Sequence, residues 1–237
     1  MMFRALGVAF ACSGAVACSG GSSGGSPNDP TNPGGGTPTS SCRTVAGSTR
    51  SVQTFVTGQV VSTDLTCTFN GATDVTCQGS FNDSDLGPGT ITQTSRFASK
   101  NDIVDEATTN PPRSLGLGTT TVLTVNGVPF TTTATNSYDG QRRLISTTIS
   151  GPPPIPPTTL TYSAWDSSGR PTAGSATVAG GVSITYDNTN HTAARTISPN
   201  TCTVTHDQNG IMIREQCVGT TSSTTIITVN STVQICK

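Results

Sequence analysis

The chain has 237 residues, of which 32% are hydrophobic and 11% charged, with a formal net charge of −1. A charged fraction less than half the usual value of about 25% leaves a surface built from Thr, Ser, Asn and Gly, a palette that suits exposed strands and argues against helices. The charge balance excludes a basic field for nucleic acid and a polybasic patch for anionic lipid. No later apolar run reaches the roughly 20 residues that a helix needs to cross a bilayer.

The chain opens with Arg4, an apolar run over 5–10 that continues weakly to Ala17, and the small residues Ala15, Val16 and Ala17 before Cys18. This is the pattern of a secretion signal over residues 1–17. The residues around Cys18 resemble the lipobox of bacterial lipoproteins. The resemblance implies that Cys18 becomes the first residue of the mature chain, carries lipid and attaches it to a membrane. Ser19, with no Asp after the cysteine, implies by the same resemblance an outer-membrane destination. Ala15-Val16-Ala17 also satisfies ordinary secretory cleavage, which would release a soluble protein, so two outcomes stay open and both export the chain. Residues 18–41 are the lipid-bearing Cys18 and a Gly/Ser tether that turns rich in Pro, Asn and Thr, a flexible coil of about 25 Å mean span.

Residues 42–237 read as one β-rich domain. Apolar and Thr/Ser residues alternate in short runs over 60–69, 75–77, 90–97, 103–107, 119–125 and 128–135, and the spacing predicts strands there. Asn70-Gly71, Asn101-Asp102 and Asn126-Gly127 stand between them as turns. Nothing reads as a helix. The proline run over 151–157 reads as a stiff crossing between hairpins rather than a polyproline ligand.

In the C-terminal half an aromatic residue or His is followed by Asp ahead of a turn: Tyr138-Asp139, Trp165-Asp166, Tyr186-Asp187 and His206-Asp207. Spacing near twenty residues is a period at which repeats are sought. These pairs resemble the YD repeat of the Rhs family over about 131–217, with Trp165 and His206 in place of Tyr. The resemblance implies consecutive β-hairpins joined edge to edge. The fold expected is therefore all-β, a single antiparallel sheet of consecutive hairpins stabilised by disulfides.

Cys42, Cys67, Cys77, Cys202, Cys217 and Cys236 lie in this domain, and an even number in an exported chain reads as bridges. A two-residue turn at Asn209-Gly210 would face His206 with Ile213, Val204 with Glu215 and Cys202 with Cys217, the last as a hydrogen-bonded pair about 5.5 Å apart. Cys67 with Cys77 follows across a short loop, and Cys42 with Cys236 by elimination. With no C-x2-C spacing and two His, no metal or cofactor is expected.

No catalytic constellation emerges. His206 fills a repeat position and His191 a turn. The acidic run over 82–85 lacks the spacing of a calcium loop and reads as a solvated turn. Tyr138, Tyr162, Trp165 and Tyr186 would suit a sugar-binding face, but regular alternation puts Tyr162 and Trp165 on opposite sides. Three functions follow. The first is a non-enzymatic envelope-anchored lipoprotein, a structural or binding module for an envelope protein or a glycan. The second is an envelope hydrolase, and the third a secreted glycan-binding domain. Unpaired sheet edges would offer lateral docking.

Overall fold

In a computed structural model of the chain, residues 42–237 are described, apart from 72, 107–109, 154–155, 178–179, 198 and 221. The expected signal peptide, Cys18 and the tether lie outside them. Fourteen strands follow one another as β1 (Cys42–Phe55), β2 (Val60–Asn70), β3 (Asp74–Asp83), β4 (Gly87–Arg96), β5 (Gly118–Val125), β6 (Val128–Tyr138), β7 (Leu144–Ser150), β8 (Thr158–Trp165), β9 (Pro171–Ala176), β10 (Gly180–Asp187), β11 (Thr192–Ile197), β12 (Asn200–His206), β13 (Met212–Val218) and β14 (Ser223–Cys236). Every strand pairs antiparallel with its neighbours, and β1 pairs with β14, so the single sheet closes into a barrel. Closure removes the free edges that the sequence suggested for lateral docking, because every edge ladder is already taken.

The alternation along each strand sets inside from outside. On β2, Val61 and Thr63 are buried while Val60, Asp64, Thr66, Thr68 and Asn70 are exposed. On β4, Ile91, Gln93 and Ser95 are buried between threonines. A barrel that crosses a bilayer turns an apolar band about 25 Å tall outward. On β2 and β4 the alternation runs the other way, with apolar residues inside and Thr, Ser and charged residues outside. The exposed large apolar residues, among them Val56, Val128, Val218 and Ile226, are scattered over strands and turns.

Three apolar clusters fill much of the interior. One joins Val45, Val75, Phe97, Ile103, Val104 and Ile235. A second joins Val61, Phe81, Ile91, Leu123 and Val125. The third joins Leu144, Leu160, Tyr162, Val182 and Ile184. Each fully buried side chain of this size contributes about 1.5–3 kcal/mol. Gly79 is required where two strands crowd, since a Cβ there would lie 1.8 Å from the Asp64 carbonyl oxygen.

Even-numbered strands end, and odd-numbered strands begin, at one rim, here the near rim. The connection between β4 and β5 is long, and its described residues, 97–106 and 110–117, also lie there. Part of it is α1 (Lys100–Asp105), a six-residue helix with Ser99 as N-cap, whose side chain accepts from the Asp102 N–H. A strand was expected over 103–107. In the structure 103–105 are helical, because Ile103 and Val104 bury against the barrel mouth and find no strand to pair with; Ala107 lies outside the described residues. The expected turn at Asn101-Asp102 is the first turn of that helix.

Three further expectations need correction. Register shifts between Tyr162 and Trp165 turn both rings into the third cluster, where regular alternation would have separated them. The β12–β13 turn is wider than two residues: Asp207 N–H donates to the Ile211 carbonyl, His206 faces Met212, and a bulge restores the pairing of Val204 with Glu215 and Cys202 with Cys217. The two Cys Cα atoms lie 4.0 Å apart, closer than the hydrogen-bonded pair expected. At 82–85, Asp83 is not solvated but 1% exposed, accepting from the Gln59 amide and the N–H groups of Asp85 and Leu86. Disulfides join Cys42 to Cys236, Cys67 to Cys77 and Cys202 to Cys217.

Candidate functional site

The repeated Asp residues all fall at the near rim. In each turn the Asp carboxylate accepts two backbone N–H groups, from Gln141 and Arg143 for Asp139, Ser168 and Arg170 for Asp166, Thr189 and Asn190 for Asp187, and Asn209 and Ile211 for Asp207. The residue before each Asp binds back to the start of the preceding strand pair. Tyr138 hydroxyl donates to the Gly116 carbonyl, Trp165 Nε1–H to Leu144, and Tyr186 hydroxyl to Pro171; His206 Nδ1 meets the His191 carbonyl. Arg143 stacks over Trp165 at 4.5 Å and Arg170 over Tyr186 at 4.1 Å. Backbone N–H donation from Arg143 holds Asp139 below the usual carboxylate range, and that from Asn190 does the same for Asp187. Burial works the other way at Asp166, but the bonds from Arg170 prevail and lower it. Burial lowers the His206 pKa, and its carbonyl partner places the proton on Nδ1, so this imidazole is neutral and acts as a strut.

Residues 97–106 and 110–117 floor the barrel at this rim, tied by side chains from around its circumference. Arg43 on β1 donates to the Ile103 carbonyl and pairs with Glu106 at 3.5 Å, both side chains 2% exposed. Arg142 pairs with Asp102, and Lys237 with Asp105. Arg170 donates to the Pro111 carbonyl at 2.8 Å, and Asn110 donates to the Asp207 carbonyl at 2.9 Å. Burial raises the Glu106 pKa against the opposing Arg43 charge.

Above this floor the lumen holds a cavity of about 670 Å³, walled by β1, by β4 to β14 and by the floor residues. That volume lies inside the roughly 300–1,000 Å³ range of small-molecule sites. Leu144, Leu160, Tyr162, Ile184 and Val204 give it an apolar wall. Arg195 lines it and is exposed to solvent, so water reaches the interior. Glu215 lines it too, 7% exposed, and also borders a smaller void of about 60 Å³ toward Val45 and Ile103. Among the described residues Glu215 accepts no hydrogen bond and makes no ion pair. Burial raises its pKa, opposed only by the Arg195 charge. Cys202, Glu215 and Cys217 lie close enough to suggest a metal cluster, but both sulfurs are spent in their disulfide.

Sequence reasoning placed no function on Arg195 or Glu215. The signal was present: a charged residue on the pleat face shared with Ile197, and another on the face shared with Cys217.

No protein-family profile and no curated protein matches the chain. Among solved structures, the chain is similar to a porin-like protein from Bacteroides uniformis ATCC 8492, at 11% identity and a TM-score of 0.30, covering 78% of this chain and 96% of that one.

Proposed function

We propose that this chain is an exported, lipid-anchored, non-enzymatic barrel that serves the bacterial envelope as a binding module and holds a small molecule in its lumen. The observation that carries the reading is the floored, water-connected cavity of about 670 Å³ inside a barrel whose outer surface is polar. A structural post needs no such space, since interiors are otherwise close-packed. The anchor rests on the lipobox resemblance at Cys18, and the outer membrane on Ser19. A polar exterior agrees with attachment by lipid, because the barrel wall offers no band for the bilayer. The repeat resemblance is supported by the shared near-rim bonding of Tyr138-Asp139, Trp165-Asp166, Tyr186-Asp187 and His206-Asp207. The non-enzymatic reading draws on His206, whose Nδ1 proton is committed to a backbone carbonyl.

Two experiments test the reading. Cys18→Ser should move the full chain from the membrane to the soluble fraction, and an unchanged partition would contradict the anchor. Ala193→Trp, at a residue that lines the cavity, should abolish uptake of any luminal ligand while the circular dichroism of the barrel persists. Uptake that survives a filled lumen would move the binding site elsewhere.

A further inference from the structure

The cavity wall carries its charges in two adjacent rows. In the ladder, Arg195 faces Cys202, which is bonded to Cys217, and Cys217 faces Ser223. One row nearer the floor, Ala193 faces Val204, Val204 faces Glu215, and Glu215 faces Thr225. All of these point into the lumen, and around them the wall is mostly apolar. Two features there point to a ligand. Glu215, more than nine-tenths buried, borders the cavity with no hydrogen-bond partner among the described residues. Arg195, directed into the same cavity, makes no hydrogen bond or ion pair among them either. A protein interior rarely leaves a carboxyl such as that of Glu215 unmatched, because it costs free energy until it finds a partner; Arg195 is exposed to the water of the cavity and offers its charge there.

The sign of the lumen decides which partner fits. Arg43 and Glu106 cancel each other as a buried pair. His206 is neutral, with burial the main cause. Arg195 is left positive, and Glu215 is either neutral or a single negative charge. With Glu215 neutral the lumen is net positive, and with Glu215 charged it is neutral overall, so no state favours a cation while one favours an anion. Arg is also the side chain whose planar fork matches a carboxylate with two parallel N–H bonds.

Resting on the binding-module reading, we infer that the lumen takes a small monocarboxylate with an apolar body, its carboxylate on the Arg195 guanidinium and its body against Leu144, Leu160, Tyr162 and Ile184. The same carboxylate is the one group of such a ligand that accepts a hydrogen bond, so when Glu215 carries its proton it gains there the partner it otherwise lacks. The Arg195 row lies nearer the far rim than the Glu215 row, and Arg195 is itself exposed to solvent, so the charged head sits toward water and the apolar body toward the floor.

The test is calorimetric titration of the full-length acylated chain, held in phosphatidylcholine nanodiscs with empty discs as blank, using decanoate, decanol and decylamine as probes. Decanoate should bind saturably with one site per chain, and about tenfold more tightly than decanol, the scale of a charge-assisted pair. Arg195→Gln should bring decanoate down to the decanol level and leave decanol unchanged. Arg195→Lys should recover part of the loss. Equal binding of decanoate and decanol, untouched by Arg195→Gln, would overturn the carboxylate inference and leave luminal binding standing. Tighter binding of decylamine would overturn it in favour of a cation held by Glu215. Binding of none of the three, while a natural small molecule is still found in the envelope-extracted chain, would overturn the inference alone. Absence of both would overturn the binding-module reading with it.

Discussion

Glu215 stands directly opposite Thr225 in the β13–β14 ladder, on the luminal face, and neither side chain hydrogen-bonds the other. Two buried polar groups at cross-strand distance would ordinarily satisfy each other. Glu215 instead has its pKa raised from 4.5, chiefly by burial. An acid whose folded pKa is raised binds its proton more tightly when folded, so its contribution favours folding at low pH and is lost as pH rises from the unfolded value. Glu215→Gln should therefore raise the melting temperature at neutral pH by about 2–4 °C, corresponding to roughly 1 kcal/mol. The gain should vanish near pH 4. A melting temperature unchanged or lowered at pH 7 would mean that the carboxyl group is not an uncompensated burden.

The Arg43–Glu106 pair is buried on both sides and fastens the floor to β1. Removing one partner strands a buried charge, while removing both does not. Arg43→Leu alone should cost about 3–5 kcal/mol, and Arg43→Leu with Glu106→Leu distinctly less, as read from chemical unfolding. Additive losses would show that the two side chains do not act as a pair.

Arg170 is 3% exposed and serves three partners at once, the Asp166 carboxylate, the Pro111 carbonyl and the Tyr186 ring. Arg170→Met keeps much of its volume and loses every polar contact, so it should cost about 2–4 kcal/mol and free the floor over Pro111. Faster hydrogen exchange at 110–117, with the far rim unchanged, is the expected pattern; uniform exchange throughout would deny the floor its local attachment.

Asp139 and Asp187 titrate below their usual value of 3.8 because backbone N–H groups of Arg143 and Asn190 bind the charged form. A depressed acid gives stability that is present above its unfolded pKa and is lost as pH falls through the lower folded value. Asp187→Ala should be destabilised at pH 6 and approach wild type below pH 3, as followed by thermal melts. A constant difference across that range would assign the loss to turn geometry alone.

The Cys42–Cys236 bridge ties β1 to β14 across the seam and closes a loop of sequence separation 194, against 10 for Cys67–Cys77. On loop-closure entropy, losing the seam bridge should cost roughly 5 kcal/mol and the short one roughly 3. Paired Ser substitutions with chemical unfolding would measure both.

Much of this architecture can be read from the chain. Alternating Thr and apolar residues mark the strands, and Asn126-Gly127 marks the turn between β5 and β6, both residues taking positive φ. The opposition of Cys202 and Cys217 follows from hairpin register, although the wider turn at Asp207 needs a bulge that no local pattern announces. Ile103 and Val104 mislead, because β-branched residues favour strands until the barrel mouth gives them another place to bury. Ser99-Lys100-Asn101-Asp102 carried the contrary signal, a capping Ser three residues before an acid. Closure was harder to see, since it depends on fourteen strands wrapping until β14 meets β1, a sum that no single hairpin reveals. For the same reason Arg195 and Glu215, on separate hairpins, could be placed on faces but not in one cavity.

The most direct measurement is the native mass of the full-length chain extracted from envelopes, taken intact and again after denaturation. A non-covalently held small molecule should accompany the folded protein, leave on unfolding, exchange for added decanoate and be missing from Ala193→Trp. An intact mass equal to that of the acylated chain alone, unchanged by decanoate, would contradict a ligand-holding lumen.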